Sequence, residues 1–449
     1  MMFSEVFEIF LGFGRFLKGF LPYFSIFWQI FKSWWWLPLP FIFWRPFCFL
    51  WLWWRTDLWL KKQKFILLEI RIPKEVLKPI RAMETVMSAL WQPIYDPPDW
   101  WEKWIEGKIQ LSYSFEIVSI DGEPHFFIRI PEPLRDSIEA IIYSQYPQAE
   151  ISVADDYTKK VPQDIPNKDW DLWGCDYRLL KEDPYPIKTY KEFETEREAI
   201  EEKRVDPIAS LLEAFNKIKK GEQIWIQMVA TPVTNKEVPW IKEGEEIKDK
   251  LAKREKKKVK RRPMILEAID VLITGEPPSG PKKEEESVIP PEMKLTPGER
   301  ETVAAIEKKI SKSGFHTNIR FIYLGKKDAF FKPNLRLVFG FFASFKTEDL
   351  NALVPWGKTI CKIHKSWFLP LNLLLPRRLY LRKRKIFRKY CLRVHPLFPK
   401  KAKFPARFVL NTEELASIYH FPGRASAPAP FVPRIESKKG EAPPTLPTE

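Results

Sequence analysis

The chain has 449 residues, 45% of them hydrophobic, enough for two or three compact domains. A formal net charge of +16 calls for an anionic partner, either nucleic acid or the lipid headgroups of a cytoplasmic leaflet. The four cysteines, Cys48, Cys175, Cys361 and Cys391, form no C-x-x-C pair, which argues against a disulfide framework and a zinc site and suits a reducing compartment.

The chain opens with Phe3, Phe7, Phe10, Phe13, Phe16, Phe20, Phe24, Phe27 and Phe31, steps of three or four. Glu5, Glu8, Arg15 and Lys18 interrupt the apolar turns, as in an interfacial amphipathic helix or one arm of a hairpin. A Trp-dense block follows, bounded by Lys32 and Arg55. A spanning helix needs roughly 20 mostly apolar residues. Residues 1–60 therefore read as a membrane anchor, with a transmembrane helix at about 34–54 carrying Trp34, Trp35, Trp36, Trp44, Trp51, Trp53 and Trp54. Arg45 near its middle costs roughly 2.5–3.5 kcal/mol on insertion scales, and Pro38, Pro40 and Pro46 predict kinks. With no basic start and no small-residue cleavage site, a cleaved signal peptide is not expected. Arg55, Lys61, Lys62 and Lys64 place the C-terminal part on the cytoplasmic side.

Residues 61–160 predict an α+β unit. Ile66, Leu68, Ile70 and Ile72 alternate as in a strand, and a helix follows Pro79 through Ile80, Met83, Met87 and Leu90. Ile109 to Ile117 and Phe126 to Ile130 form a hairpin across Asp121-Gly122. A second helix after Pro133 and a short strand at Ile151 and Val153 complete the order β-α-β-β-α-β, a ferredoxin-like unit.

Residues 161–206, rich in Pro, Asp, Lys and Glu, read as a linker. A second α/β unit spans 207–350, with helices opening at Asp206-Pro207 and Thr296-Pro297, strands at Gln223–Ala230 and His316–Leu324, and a helix over Leu335–Phe345. A charged insertion at 235–295 contains the basic run Lys253–Arg262 and a Pro/Glu-rich stretch, Gly275–Pro291. The two units are candidates for distant copies of one another. Residues 351–423 hold a basic helical segment and a closing element, and 424–449 a Pro-rich tail.

No catalytic constellation emerges, so a non-enzymatic role without cofactor or metal is expected. Ala352 to Thr359 fits a permissive phosphate-loop pattern. However, polar residues precede it, and Pro355 and Trp356 suit a surface turn better. The five histidines lack metal-ligand spacing, and the pairs Asp155-Asp156 and Glu413-Glu414 read as solvated faces. The remaining signal is Arg377–Lys403, which has no acidic residue. A helix over Arg377–Arg393 would offer Arg377, Arg378, Arg382, Arg384, Lys385, Arg388, Lys389 and Arg393 to DNA phosphates or anionic lipid. Tyr380, Phe387 and Tyr390 interleave with them.

Two stretches carry a family resemblance: Phe65–Met87 with Phe115–Thr158, and FVLNTEELASIYHFPG at Phe408–Gly423 followed by EAPPTLP at Glu441–Pro447. They resemble the membrane-anchored N-terminal region of type IV secretion and conjugation-like ATPases of reduced-genome bacteria. In that family these phrases lead into a HerA/FtsK-type motor, which this sequence does not contain, so no catalytic residue carries over. The resemblance implies an accessory component at the bacterial inner membrane with its soluble part cytoplasmic. Its expected partners are a separate motor ATPase, DNA, or copies of itself in a homo-oligomer.

Overall fold

The computed structural model describes residues 28–29, 32–33, 39–73, 78–193, 206–251, 295–363, 365, 372–395 and 404–422. The expected Phe stripe apart from its neighbour Trp28, as well as Trp34, Trp35, Trp36, the run Lys253–Arg262, the Gly275–Pro291 stretch and the tail 424–449, lie outside the described residues. The chain divides into two compact units, 1–63 with 97–109, and 64–96 with 110–449.

The first unit contains helix α1, Leu39–Lys62, and a π-helical turn at Glu102–Glu106. The Trp51 indole N–H donates to the Trp104 carbonyl at 2.8 Å, and the Arg55 Nε donates to the Ile105 carbonyl. Gly107, at φ +77°, ends the π turn so close to α1 that a Cβ would lie 2.3 Å from the Arg55 carbonyl carbon. Only glycine combines that φ with that approach.

The transmembrane helix expected over 34–54 finds no support in α1, which spans Leu39–Lys62 and includes Arg45, Arg55, Asp57, Lys61 and Lys62. Among the described residues no helix is long and apolar enough to cross a membrane. Charge explains this: Arg45 and Arg55 both fall inside the aromatic stretch, and Trp is amphipathic rather than strongly apolar. Arg55 does not mark a boundary. It lies 6.0 and 5.8 Å from the Trp51 and Trp54 ring centroids and is a packed member of the helix.

The second unit is built on one antiparallel sheet. Its strands are β1 (Phe65–Arg71), β2 (Tyr113–Ile120), β3 (Glu123–Pro131), β4 (Glu150–Ala154), β5 (Trp170–Leu179), β6 (Glu222–Val233), β7 (Gly314–Lys326), β8 (Leu353–Pro355) and β9 (Phe408–Asn411). The spatial order is β4-β1-β3-β2-β6-β7-β5-β8, with β9 paired to β7. Helices α2 (Ile80–Trp91) and α3 (Arg135–Gln145) connect β1 to β2 and β3 to β4. The same β-α-β-β-α-β order recurs in β5, α5 (Pro207–Asn216), β6, β7, α8 (Leu335–Ala343) and β8. Between β5 and α5 lies the short helix α4 (Tyr190–Phe193), and between β6 and β7 lie α6 (Trp240–Leu251) and α7 (Pro297–Ile310). Two split βαβ units thus lie side by side, joined where β2 pairs with β6 from Tyr113↔Ala230 to Ile120↔Gln223. The expectation that the units resemble each other is met in their topology.

Local signals account for many element ends. Asp121 and Gly122 both take positive φ, 54° and 96°, as a two-residue hairpin turn demands. Asp206 caps α5, and Thr296 with Glu299 forms a capping box on α7. Buried positions on α2, Met83, Val86, Met87 and Leu90, recur at helical spacing. Each such fully buried side chain contributes roughly 1.5–3 kcal/mol.

One boundary needs correction. Residues 161–206 were expected to link two domains, yet they contain β5, the interior strand between β7 and β8. Its polar residues Asp171 and Asp176 bond to α9 (Leu375–Leu392) or β7, so they hide a strand pattern that is in fact buried.

Candidate functional site

Helix α9 is the most basic described element, and it packs through Ile386, Phe387 and Tyr390. Trp225 of β6 meets the Phe387 and Tyr390 rings at 6.2 and 5.2 Å. Beneath α9 a row of polar side chains crosses four neighbouring strands: Glu116 on β2, Gln227 on β6, Arg320 on β7 and Asp176 on β5. Each is the register partner of the next.

The row is continuously bonded. Gln227 Nε2 donates to Glu116 Oε1 at 2.9 Å and to the Tyr390 carbonyl at 3.1 Å. Arg320 donates from Nε to Asp176 Oδ1 at 2.7 Å, from Nη1 to Gln227 Oε1 at 3.1 Å and the Lys389 carbonyl at 2.9 Å, and from Nη2 to Asn318 Oδ1 at 2.9 Å. Arg393, in left-handed conformation just past α9, donates to both oxygens of Glu116 at 2.7 and 3.1 Å. It also donates to both oxygens of Asp156, at 2.8 and 2.9 Å. Burial would raise the Glu116 carboxyl, but the Arg393 charge and hydrogen bonds outweigh it and hold it below the ordinary carboxylate range. The geometry fits a fastener for α9, with its hydrogen bonds satisfied within the row.

This divides the eight basic residues expected to contact phosphates. Arg393 is only 3% exposed and saturated by two carboxylates, so it belongs to the core. Lys383, beside them, pairs with Asp171, and Lys389 lies 3.7 Å from Asp176. Arg384 donates to the Asp164 carbonyl at 3.0 Å. Arg382 donates to the Ile360 and Lys362 carbonyls, both at 3.0 Å. Arg377, Arg378, Lys385 and Arg388 are exposed, and their side chains have no ion pair among the described residues. Arg382, Lys385 and Lys389 face one cleft of about 220 Å³, shared with Lys358, Thr359 and Arg407.

On α1, the described anchor residues Trp44, Trp53 and Trp54 are exposed, as are Phe41, Ile42, Phe43, Phe47, Phe49 and Leu50. Trp51 is half-buried against the π turn.

Of the two acidic pairs expected to be solvated, Asp155 is exposed as expected, whereas Asp156 is the half-buried Arg393 partner described above, and the second pair is corrected. Glu413 and Glu414 lie on α10 (Thr412–Ile418), every residue of which is buried. Glu414 meets Lys309 at 3.0 Å, both fully buried. Burial would raise the Glu413 carboxyl, but hydrogen bonds from Lys312, Thr189 and Lys191 pull it down to about 2. The phrase Phe408–Phe421 is therefore a core element: β9 extends the sheet, and the Tyr419 ring lies 5.2 Å from Phe115. Spacing alone could not reveal this, because the partners Thr189, Lys191 and Lys312 are distant in sequence.

No curated protein matches the chain. A family model described as a domain of unknown function, DUF8128, matches residues 68–353, more than half of the sequence and most of the twinned sheet. The chain belongs to the DUF8128 family, a domain of unknown function.

Proposed function

We propose that this protein is a non-enzymatic, membrane-associated accessory component of a type IV secretion or conjugative DNA-transfer-like system, which docks a separate motor ATPase at the bacterial inner membrane. The observation that carries the membrane part is α1. Phe41, Ile42, Phe43, Trp44, Phe47 and Leu50 are all more than half exposed, an apolar surface too dense for water to tolerate cheaply. Exposed Trp flanked by Arg and Lys suits the headgroup boundary, where amphipathic rings settle. The docking part rests on the resemblance of Phe115–Thr158 and Phe408–Gly423 to the region that precedes a HerA/FtsK-type motor. The paired β-α-β-β-α-β units, ferredoxin-like in strand order, suit a rigid platform for a partner or a second copy. Mild-detergent purification of the tagged full chain from membranes should recover a HerA/FtsK-type ATPase. A chain found in the soluble fraction without one counts against the proposal.

A second reading, nucleic-acid binding through α9, is favoured by the exposed Arg377, Arg378, Lys385 and Arg388, which form no ion pair among the described residues. Affinity for DNA should then fall steeply with salt, and replacing these four by Ala should flatten the slope. Salt-independent or absent binding removes this reading.

A further inference from the structure

The two faces of α9 meet different surroundings. Leu379, Ile386, Phe387 and Tyr390 pack inward onto the sheet. On the opposite side Leu374, Arg378, Leu381, Lys385, Arg388 and Leu392 recur at steps of three and four, with Arg377 beside them, and every one is exposed. Leu374, Leu381 and Leu392 leave 52%, 54% and 65% of their surface open. The four cations of this stripe form no ion pair among the described residues, and α9 carries no acidic residue. Carboxylates meet the helix or its end at Lys383, Lys389 and Arg393, all outside the stripe.

The stripe is held in a fixed orientation. The Tyr390 and Lys389 carbonyls accept from Gln227 and Arg320, and Arg393 ties the end of α9 to Glu116 and Asp156. The inner face is thus spent on the fold, and the outer face is presented already ordered, which lowers the entropy cost of binding.

Leucines and cations sharing one face choose between anionic surfaces. A DNA backbone rewards the cations through counterion release and leaves the leucines in water. At the boundary of an anionic bilayer both kinds of side chain are satisfied. The leucines sink among the acyl chains while Arg and Lys reach up to the headgroup phosphates. A single exposed leucine needs no explanation, but three aligned with four cations over about five turns of one face do.

We propose that the outer face of α9 is a second membrane contact, selective for anionic lipid. Leu374, Leu381 and Leu392 enter the headgroup boundary, and Arg377, Arg378, Lys385 and Arg388 pair with lipid phosphates. This contact rests on the membrane reading given above. It adds charge selectivity to the apolar hold of α1 and does not replace it.

The test is flotation of the full chain with phosphatidylcholine vesicles, with and without phosphatidylglycerol. Partition should be about ten-fold or more stronger onto the anionic vesicles, and the gap should close as salt rises. Replacing Arg377, Arg378, Lys385 and Arg388 by Ala should abolish the gap, while Lys332→Ala, an exposed lysine on another element, should preserve it. Leu374→Ser/Leu381→Ser should weaken anionic partition about five-fold or more without changing retention on duplex DNA. All six replaced side chains are exposed, so these variants keep the fold. A chain that floats equally well with both vesicles overturns the α9 contact and leaves the α1 reading standing. A chain that floats with neither overturns both. Vesicle partition unaffected by the leucine changes, together with duplex DNA binding lost in the four-fold Ala variant, identifies nucleic acid as the partner and also overturns the lipid contact.

Discussion

Replacing Arg393 by Met would remove four charge-assisted hydrogen bonds, two to Glu116 and two to Asp156. Met keeps the side chain's length and leaves the backbone requirement at φ 52° the same, since neither residue is glycine. Asp156 is at the edge of the network and can turn to water, but Glu116 is fully buried and cannot. The dominant cost is therefore one stranded carboxylate, and breaking a buried pair in this way costs about 3–5 kcal/mol. The loss should appear in urea unfolding of the full chain followed by circular dichroism. Adding Glu116→Gln removes the stranded charge while keeping a group that Gln227 and Tyr157 can bond. The double variant should then be more stable than the sum of the singles by about 2 kcal/mol. A single-variant loss below about 1 kcal/mol, or strict additivity, would refute the idea that α9 is fastened by this pair.

The α10 cluster gives a pH signature. The Glu413 carboxyl sits at about 2 in the fold against an ordinary 4.5, so its ion pairs stabilise fully above pH 4.5 and fade as pH falls towards 2. That difference corresponds to about 3 kcal/mol, so Glu413→Gln should destabilise strongly at pH 7 and progressively less below pH 4.5 in urea melts. Asp183 has the opposite sign: burial raises it to about 6 from 3.8, so its ionisation costs stability, and the full cost is present above pH 6. Asp183→Asn, which keeps an acceptor for the Val409 N–H, should stabilise the chain by about 2–3 kcal/mol at pH 8 and leave it unchanged at pH 3. A gain that is equal at both pH values would exclude ionisation as the cause.

Much of the sheet was legible in local patterns. Alternation marked β1, β2 and β3, Asp121-Gly122 gave the hairpin, and Asp206-Pro207 and Thr296-Pro297 opened their helices where expected. The failures share one physical cause. A charged residue reads as solvated unless its partner is visible, and the partners here are far away: Glu116 and Arg393 are separated by 277 positions. For this reason β5 resembled a linker, Glu413 and Glu414 a surface, and Arg393 a phosphate contact. The cleft was half legible. Lys358 and the basic stretch of α9 were each noted, but only the fold brings them together with Arg407. Of the aromatic start, the described helix α1 is an exposed apolar element. The spanning helix expected over 34–54 finds no support in it, because Arg45, Arg55 and Asp57 lie within α1.

The central claim is that α1 holds this chain at a membrane, where it docks a motor. The direct measurement is flotation of the full chain with vesicles of inner-membrane lipid, paired with recovery of bound ATPase from native membranes. Wild type should float and bring down a HerA/FtsK-type ATPase, whereas Trp44→Asp/Trp53→Asp should sink while keeping its folded circular dichroism. Flotation unaffected by that double variant, or membranes that yield the chain without any motor, would contradict the account.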